Sequence, residues 1–218
     1  RVVSVTCDVT PPSQADMVAE AITKDTLPQL KEKYTGLNFS FAGKQSDRKE
    51  SMAALARGMG VALIIVYVML AIPFKSYIQP AIIMLSIPFG VVGAIVGHVI
   101  MGYSLSLLSM FGVVALSGVV VNDSLVLIDF ANRRVREGAT HYSAIVNAGV
   151  SRFRPIILTT LTTFFGLMPM IFEPSRQARF LIPMAISLGF GILFSTFIIL
   201  VMVPALYMII EDVKAISH

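Results

Sequence analysis

Two patterns of apolar spacing divide the chain. Residues 1–9, RVVSVTCDV, alternate apolar and polar positions and are rich in β-branched side chains, which predicts a strand. Pro11 and Pro12 break it, and Ser13 is placed to cap a helix. Ala15, Val18, Ala19 and Ile22 then recur at helical spacing among charges. They predict a surface helix to about Thr26 that resumes past Pro28 as far as Lys33. Leu37, Phe39 and Phe41 alternate as a second strand. Residues 1–51 therefore read as a small β-α-β unit, too short to bury a core alone. From Met52 the pattern becomes long apolar runs. Crossing a bilayer takes about 20 apolar residues, and five segments qualify: 52–73, 78–101, 105–130, 155–172 and 181–208. The fold class expected is a membrane all-α bundle of five transmembrane helices over 52–210, preceded by an α+β piece.

Composition agrees: 56% of the 218 residues are hydrophobic and 14% charged, against about a quarter charged in soluble domains. That excludes an ordinary soluble enzyme or nucleic-acid binder. The net charge of +4 has a location. Residues 1–51 hold seven basic and seven acidic side chains, so the whole surplus lies in the apolar part. Loops one and three share a side of the membrane and carry six Lys/Arg, whereas loops two and four carry two. The positive-inside rule puts loop three, residues 131–154, in the cytoplasm. The N-terminal unit then lies outside and the tail, 211–218, inside. Arg133, Arg134, Arg136 and Arg154 are read as topology and lipid-headgroup residues. Tyr142, Ile145, Val146 and Val150 predict a short amphipathic helix on the cytoplasmic face. Aromatic interleaving is missing from the basic cluster, so no nucleic-acid partner is expected. The lone Cys7 excludes an intrachain disulfide framework and a cysteine metal cluster. The chain opens at Arg1 without an initiator Met and reads as part of something longer.

The third span carries the chemistry. In SGVVVNDSLVLIDFA, residues 117–131, Asn122 and Asp123 interrupt an apolar helix. A carboxylate near the bilayer centre costs about 2.5–3.5 kcal/mol on insertion scales. Each Leu, Ile or Val returns only about 0.3–0.6 kcal/mol. A packing role, neutral or hydrogen-bonded to a Thr, is the plain alternative to a proton- or cation-binding site. Low-dielectric surroundings favour a carboxyl's neutral form and a nearby cation favours the ionised one, so small rearrangements can load and unload a proton. Asp129, beside Arg133, reads as an interfacial anchor. The fourth span opens Arg152-Phe-Arg154-Pro155, with Pro155 suited to a first turn. Thr159, Thr160, Thr162 and Thr163 come next as a hydroxyl-rich stretch. Gly93 and Gly97 permit close helix approach, and His98 reads as interfacial. No nucleophile–His–acid set, phosphate loop or HExxH occurs, so the chain is not expected to be an enzyme, and no cofactor is expected.

The Gly58 to Tyr77 run, the SGVVVNDSLVLIDFA span, the RFRPIILTTLTTFFGLMP segment and the closing VMVPALY together resemble the resistance-nodulation-division (RND) efflux transporters. The RxRPIxxTxxTxxxGxxP and GxxxNDxxxLIDF patterns are specific, and the resemblance runs through the whole chain in order. It is greatest to the hydrophobe/amphiphile (acriflavin, multidrug resistance) type. It implies that residues 1–51 end a periplasmic porter subdomain and that the spans are the last five of twelve. It further implies a homotrimer in the bacterial inner membrane, working with the N-terminal half of the same transporter, a periplasmic adaptor and an outer-membrane channel. Such pumps export drugs against proton influx. On this resemblance Asn122 and Asp123 match the tenth-span polar pair, Thr159 the eleventh-span hydroxyl, with Thr160 beside it, and Arg152 the basic residue opening that span. The best-known drug pumps carry Lys at the position of Asn122 and Asn at that of Asp123, so another coupling cation is an alternative. So are a metal or lipid substrate and a non-transporting accessory bundle.

Overall fold

The computed structural model describes residues 3, 5, 15–34, 44–173, 175 and 180–216. Both expected strands lie outside the described residues, apart from Val3 and Val5, which are not in strand conformation. The chain divides into two compact units, residues 1–54 and 55–218.

In the first unit, α1 (Ala15–Ala21), a π-helical turn (Ile22–Thr26) and α2 (Leu27–Lys33) succeed one another without a break. The expected interruption at Pro28 is absorbed by that turn. Proline cannot donate to the preceding turn and crowds it, and a wider π turn relieves both problems. Pro28 then sits at the second residue of α2.

The second unit is built from α3 (Lys44–Phe74, whose N-terminal part belongs to the first unit), α4 (Ile78–Met84), α5 (Ile87–Met101), α6 (Leu107–Arg136), α7 (His141–Ile171) and α8 (Ile182–Ile216). Five segments are long and apolar enough to cross a membrane: Glu50–Phe74, Ile78–Met101, Leu107–Arg136, His141–Ile171 and Ile182–Val213. The second combines α4 and α5, which are separated at Leu85 and Ser86. Pro88 cannot donate to the turn before it. The Ser86 hydroxyl donates to the Ile83 carbonyl at 2.8 Å and pairs with Ser124 Oγ of α6 at 3.0 Å.

Helix α8 forms the centre, packed against α5, α6 and α7, with Ile192, Ile199 and Val203 buried. The α5–α8 seam is lined by glycine. A Cβ on Gly93 would collide with Phe194, and one on Gly97 with Phe190. The two glycines thus let the helices approach closely, as their spacing predicts.

Three features expected from the sequence change. Loop three is not residues 131–154: α6 continues to Arg136 and α7 begins at His141, leaving only residues 137–140 between them. The expected amphipathic helix is the first part of α7, and Pro155 lies inside that helix. The start is set by Thr140, whose hydroxyl accepts from the Ser143 N–H at 3.3 Å. Gly138, at φ 94°, ends α6 in the left-handed conformation that glycine adopts without strain. Helix α8 likewise runs on to Ile216, so the expected tail is helical from Glu211 to Ile216. His98 is buried and not interfacial. Its Nδ1 lies 2.9 Å from the Ala94 carbonyl and its Nε2 lies 2.8 Å from Ser109 Oγ, which ties α5 to α6.

Candidate functional site

Polar groups inside the bundle fall into two kinds. Most are paired between helices. Thr160 of α7 and Thr196 of α8 are buried with hydroxyls 2.7 Å apart. Thr160 is therefore a link to α8, and the structure separates it from Thr159. Thr159 is exposed, and its hydroxyl donates to its own helix at Pro155 O (3.1 Å) and Ile156 O (2.9 Å). Thr162 and Thr163 also bond back to the preceding turn, as membrane-helix hydroxyls do.

Asn122 is exposed and Asp123 half-buried on α6, and neither side chain has a hydrogen bond or ion pair among the described residues. No contact joins either residue to Thr159 or Arg152. Their level in the bundle can still be derived from register. The Arg152 guanidinium lies over the Phe130 ring of α6, 5.1 Å from its centroid. Helices α6 and α7, joined by a short turn, run antiparallel and pack together. From that anchor Asp123 is seven residues back along α6, and Thr159 is seven residues on along α7. Both steps travel the same way, about 10 Å, and return to nearly the same helical face. Asp123 and Thr159 therefore lie at one level, on the faces that bear Phe130 and Arg152.

Arg152 is half-buried, and its Nε is buried with no hydrogen-bond partner among the described residues. Arg134 approaches the same Phe130 ring, at 5.4 Å. Two guanidinium groups on one ring form a cation-rich layer. The other arginines play different parts. Arg133 pairs with Asp129 at 2.9 Å, Arg134 also reaches Glu137 at 3.3 Å, Arg136 lines a cavity and Arg154 is exposed.

That cavity, of about 470 Å³, opens at the end of the bundle holding the α3–α4 and α6–α7 turns. Lys75, Arg136 and His141 line it together, so the two turns share one end. Gln79 of α4 and Asn132 of α6 form a reciprocal amide pair (3.2 and 2.9 Å), and the Tyr207 hydroxyl of α8 donates to Asn132 Oδ1 at 3.2 Å. His141 of α7 completes the group, with Nδ1 3.4 Å from the Tyr207 hydroxyl and Nε2 3.7 Å from Glu211 Oε2. Sequence reasoning missed this cluster because its members come from four helices. Each one alone reads as an ordinary polar residue near a span end.

The five apolar helices and the polar groups enclosed by them define a multi-pass helical membrane protein. Its family is shown directly: the AcrB/AcrD/AcrF family model matches residues 2–211, and the chain belongs to that family of RND efflux transporters. It is 32% identical over 205 residues to "Multidrug resistance protein MdtC" of Edwardsiella ictaluri, covering 92% of this chain and 19% of that protein. It is 34% identical over 180 residues to "Swarming motility protein SwrC" of Bacillus subtilis, covering 79% and 16%. Among solved structures, a heavy metal efflux pump (crystal form I) superposes with a TM-score of 0.74 at 25% identity, covering 89% of this chain and 19% of that one. The chain thus spans about a fifth of the length of the relatives it matches.

Proposed function

We propose that this chain supplies the second-half membrane helices of a secondary transporter that exports drugs or other amphiphilic compounds, driven by proton influx through Asp123, Asn122 and Thr159. The observation that carries this reading is the shared level of Asp123 and Thr159, derived from the Arg152–Phe130 contact. Asn122 and Thr159 are exposed and Asp123 half-buried, so an amide, a hydroxyl and an acid are left available to a facing surface. The facing surface is the N-terminal half of the same transporter. Asp123 takes up and releases the proton, Asn122 and Thr159 offer oxygens to it, and Arg152 anchors α7 on the Phe130 ring of α6. Thr160 serves packing.

The arginine-bearing end faces the cytoplasm by the positive-inside rule, in the bacterial inner membrane. Residues 1–51 lie in the periplasm. The whole pump works as a homotrimer with a periplasmic adaptor and an outer-membrane channel. Multidrug relatives support the amphiphile substrate. Asn122 in place of the usual Lys favours a second reading in which the coupling ion is a cation other than the proton, held by the oxygens of Asn122, Asp123 and Thr159.

The test is Asp123→Asn in the full-length transporter, with membrane insertion checked by quantitative blotting. The expected outcome is drug susceptibility equal to that of a deletion strain. Undiminished resistance assigns Asp123 to packing and removes the relay.

A further inference from the structure

The cavity at the arginine-bearing end contains a titratable pair that the relay does not use. We infer that His141 and Glu211, facing each other across this cavity, form the site at which protons leave the transporter for the aqueous phase; this rests on the proton-driven reading above.

The geometry fixes the proton's position. Tyr207 donates its hydroxyl hydrogen to Asn132, so its oxygen is left to accept from His141 Nδ1–H. That assigns the neutral imidazole its Nδ1–H tautomer and leaves the Nε2 lone pair directed at the Glu211 carboxylate. A proton arriving in the cavity binds Nε2, giving an imidazolium that faces the carboxylate. Its departure to water restores the same tautomer, and no other bond changes.

Burial suits the two partners to these roles. The Glu211 side chain is 16% exposed and the His141 side chain 48% exposed, so the carboxylate is the fixed inner wall and the imidazole faces the opening. Among the described residues lining the cavity, the other charged and titratable groups are Lys75 from the α3–α4 turn, Arg136 from α6 and Tyr207 from α8. Two cations and one carboxylate therefore line the cavity with the imidazole. The backbone at Lys75 adopts φ 47°, a left-handed conformation that residues with a Cβ rarely take. That left-handed residue turns the chain from α3 into α4 beside the cavity.

The experiment uses the full-length transporter in proteoliposomes, with a pH-sensitive dye on the side of the α6–α7 turn reporting substrate-driven proton release. His141→Gln and Glu211→Gln are each expected to slow release about tenfold or more. Glu211→Asp, which keeps a carboxyl, is expected to recover most of the rate. Ser109→Ala breaks an interhelical hydrogen bond at the opposite end of the bundle and leaves release unchanged. Wild-type release from His141→Gln overturns the exit site, and so does equal slowing by Ser109→Ala, which marks a general loosening of the bundle. Asp123→Asn separates the two readings. Release abolished by Asp123→Asn but untouched by His141→Gln overturns the exit site alone, whereas release unchanged in Asp123→Asn overturns the relay and the exit site together.

Discussion

Two neighbouring hydroxyls on α7 have opposite fates. Thr160 is buried against Thr196 of α8, whereas Thr159 is exposed and bonds only to its own helix. The same division holds across the bundle. The seams around α8 are tight and glycine-lined, and most of their polar groups are paired, although the buried Ser187 hydroxyl has no hydrogen-bond partner among the described residues. The α6–α7 face with Asn122, Asp123 and Thr159 keeps its polar groups free of interhelical partners among the described residues. A polar group used for packing is satisfied where it stands. One used for transport is left available to something that moves.

The sharpest way to break this comparison is to fill the packed seam. A side chain at Gly97 must displace Phe190, and overpacking costs typically 1–3 kcal/mol and occasionally more. Gly97→Leu is therefore expected to lower the thermal midpoint in detergent by the largest amount of any variant here, and transport is lost with the fold. The amide pair comes next. Asn132→Leu leaves Gln79 and Tyr207 without their partner, at about 1–3 kcal/mol for the unsatisfied buried groups. Thr160→Val is milder, about 0.6–1.7 kcal/mol, the scale of interhelical hydrogen bonds in membranes, and transport by the folded protein is retained. Thr159→Val should reverse that outcome, with a stability within about 0.5 kcal/mol of wild type, as for most exposed substitutions, and a clear fall in transport rate. If the two threonine variants instead fall together in both assays, the division between packing and transport hydroxyls is wrong. The smallest effect is expected for Arg133→Gln. Its pair with Asp129 is largely exposed, and such pairs are worth about 0–1 kcal/mol.

Much of this architecture is legible in the residues. Apolar run length finds all five long helices, because bilayer thickness imposes a length that few other constraints require. Their ends are less legible. Pro155 reads as a helix start, but a proline removes only one hydrogen bond, and the Thr140 cap upstream decides where α7 begins. The basic cluster consequently resembles a loop in sequence, while the structure turns most of it into helix termini. Asn122 and Asp123 stand out because a carboxyl in an apolar helix is costly, and Thr159 is distinguished from Thr160 in sequence only by family resemblance. Sequence spacing alone cannot say which of two adjacent threonines faces a neighbour. The His141–Glu211 pair is invisible there for a related reason: its members are 70 residues apart, and only the packing of α7 on α8 brings them together.

Of all measurements, proton influx coupled to substrate export by Asp123→Asn bears most directly on the central claim. Full-length wild-type and variant transporters would be reconstituted side by side, at equal density, with a pH dye enclosed. The account predicts substrate-dependent acidification for the wild type and none for Asp123→Asn, with both proteins unfolding at similar temperature. Equal acidification by the two would contradict it.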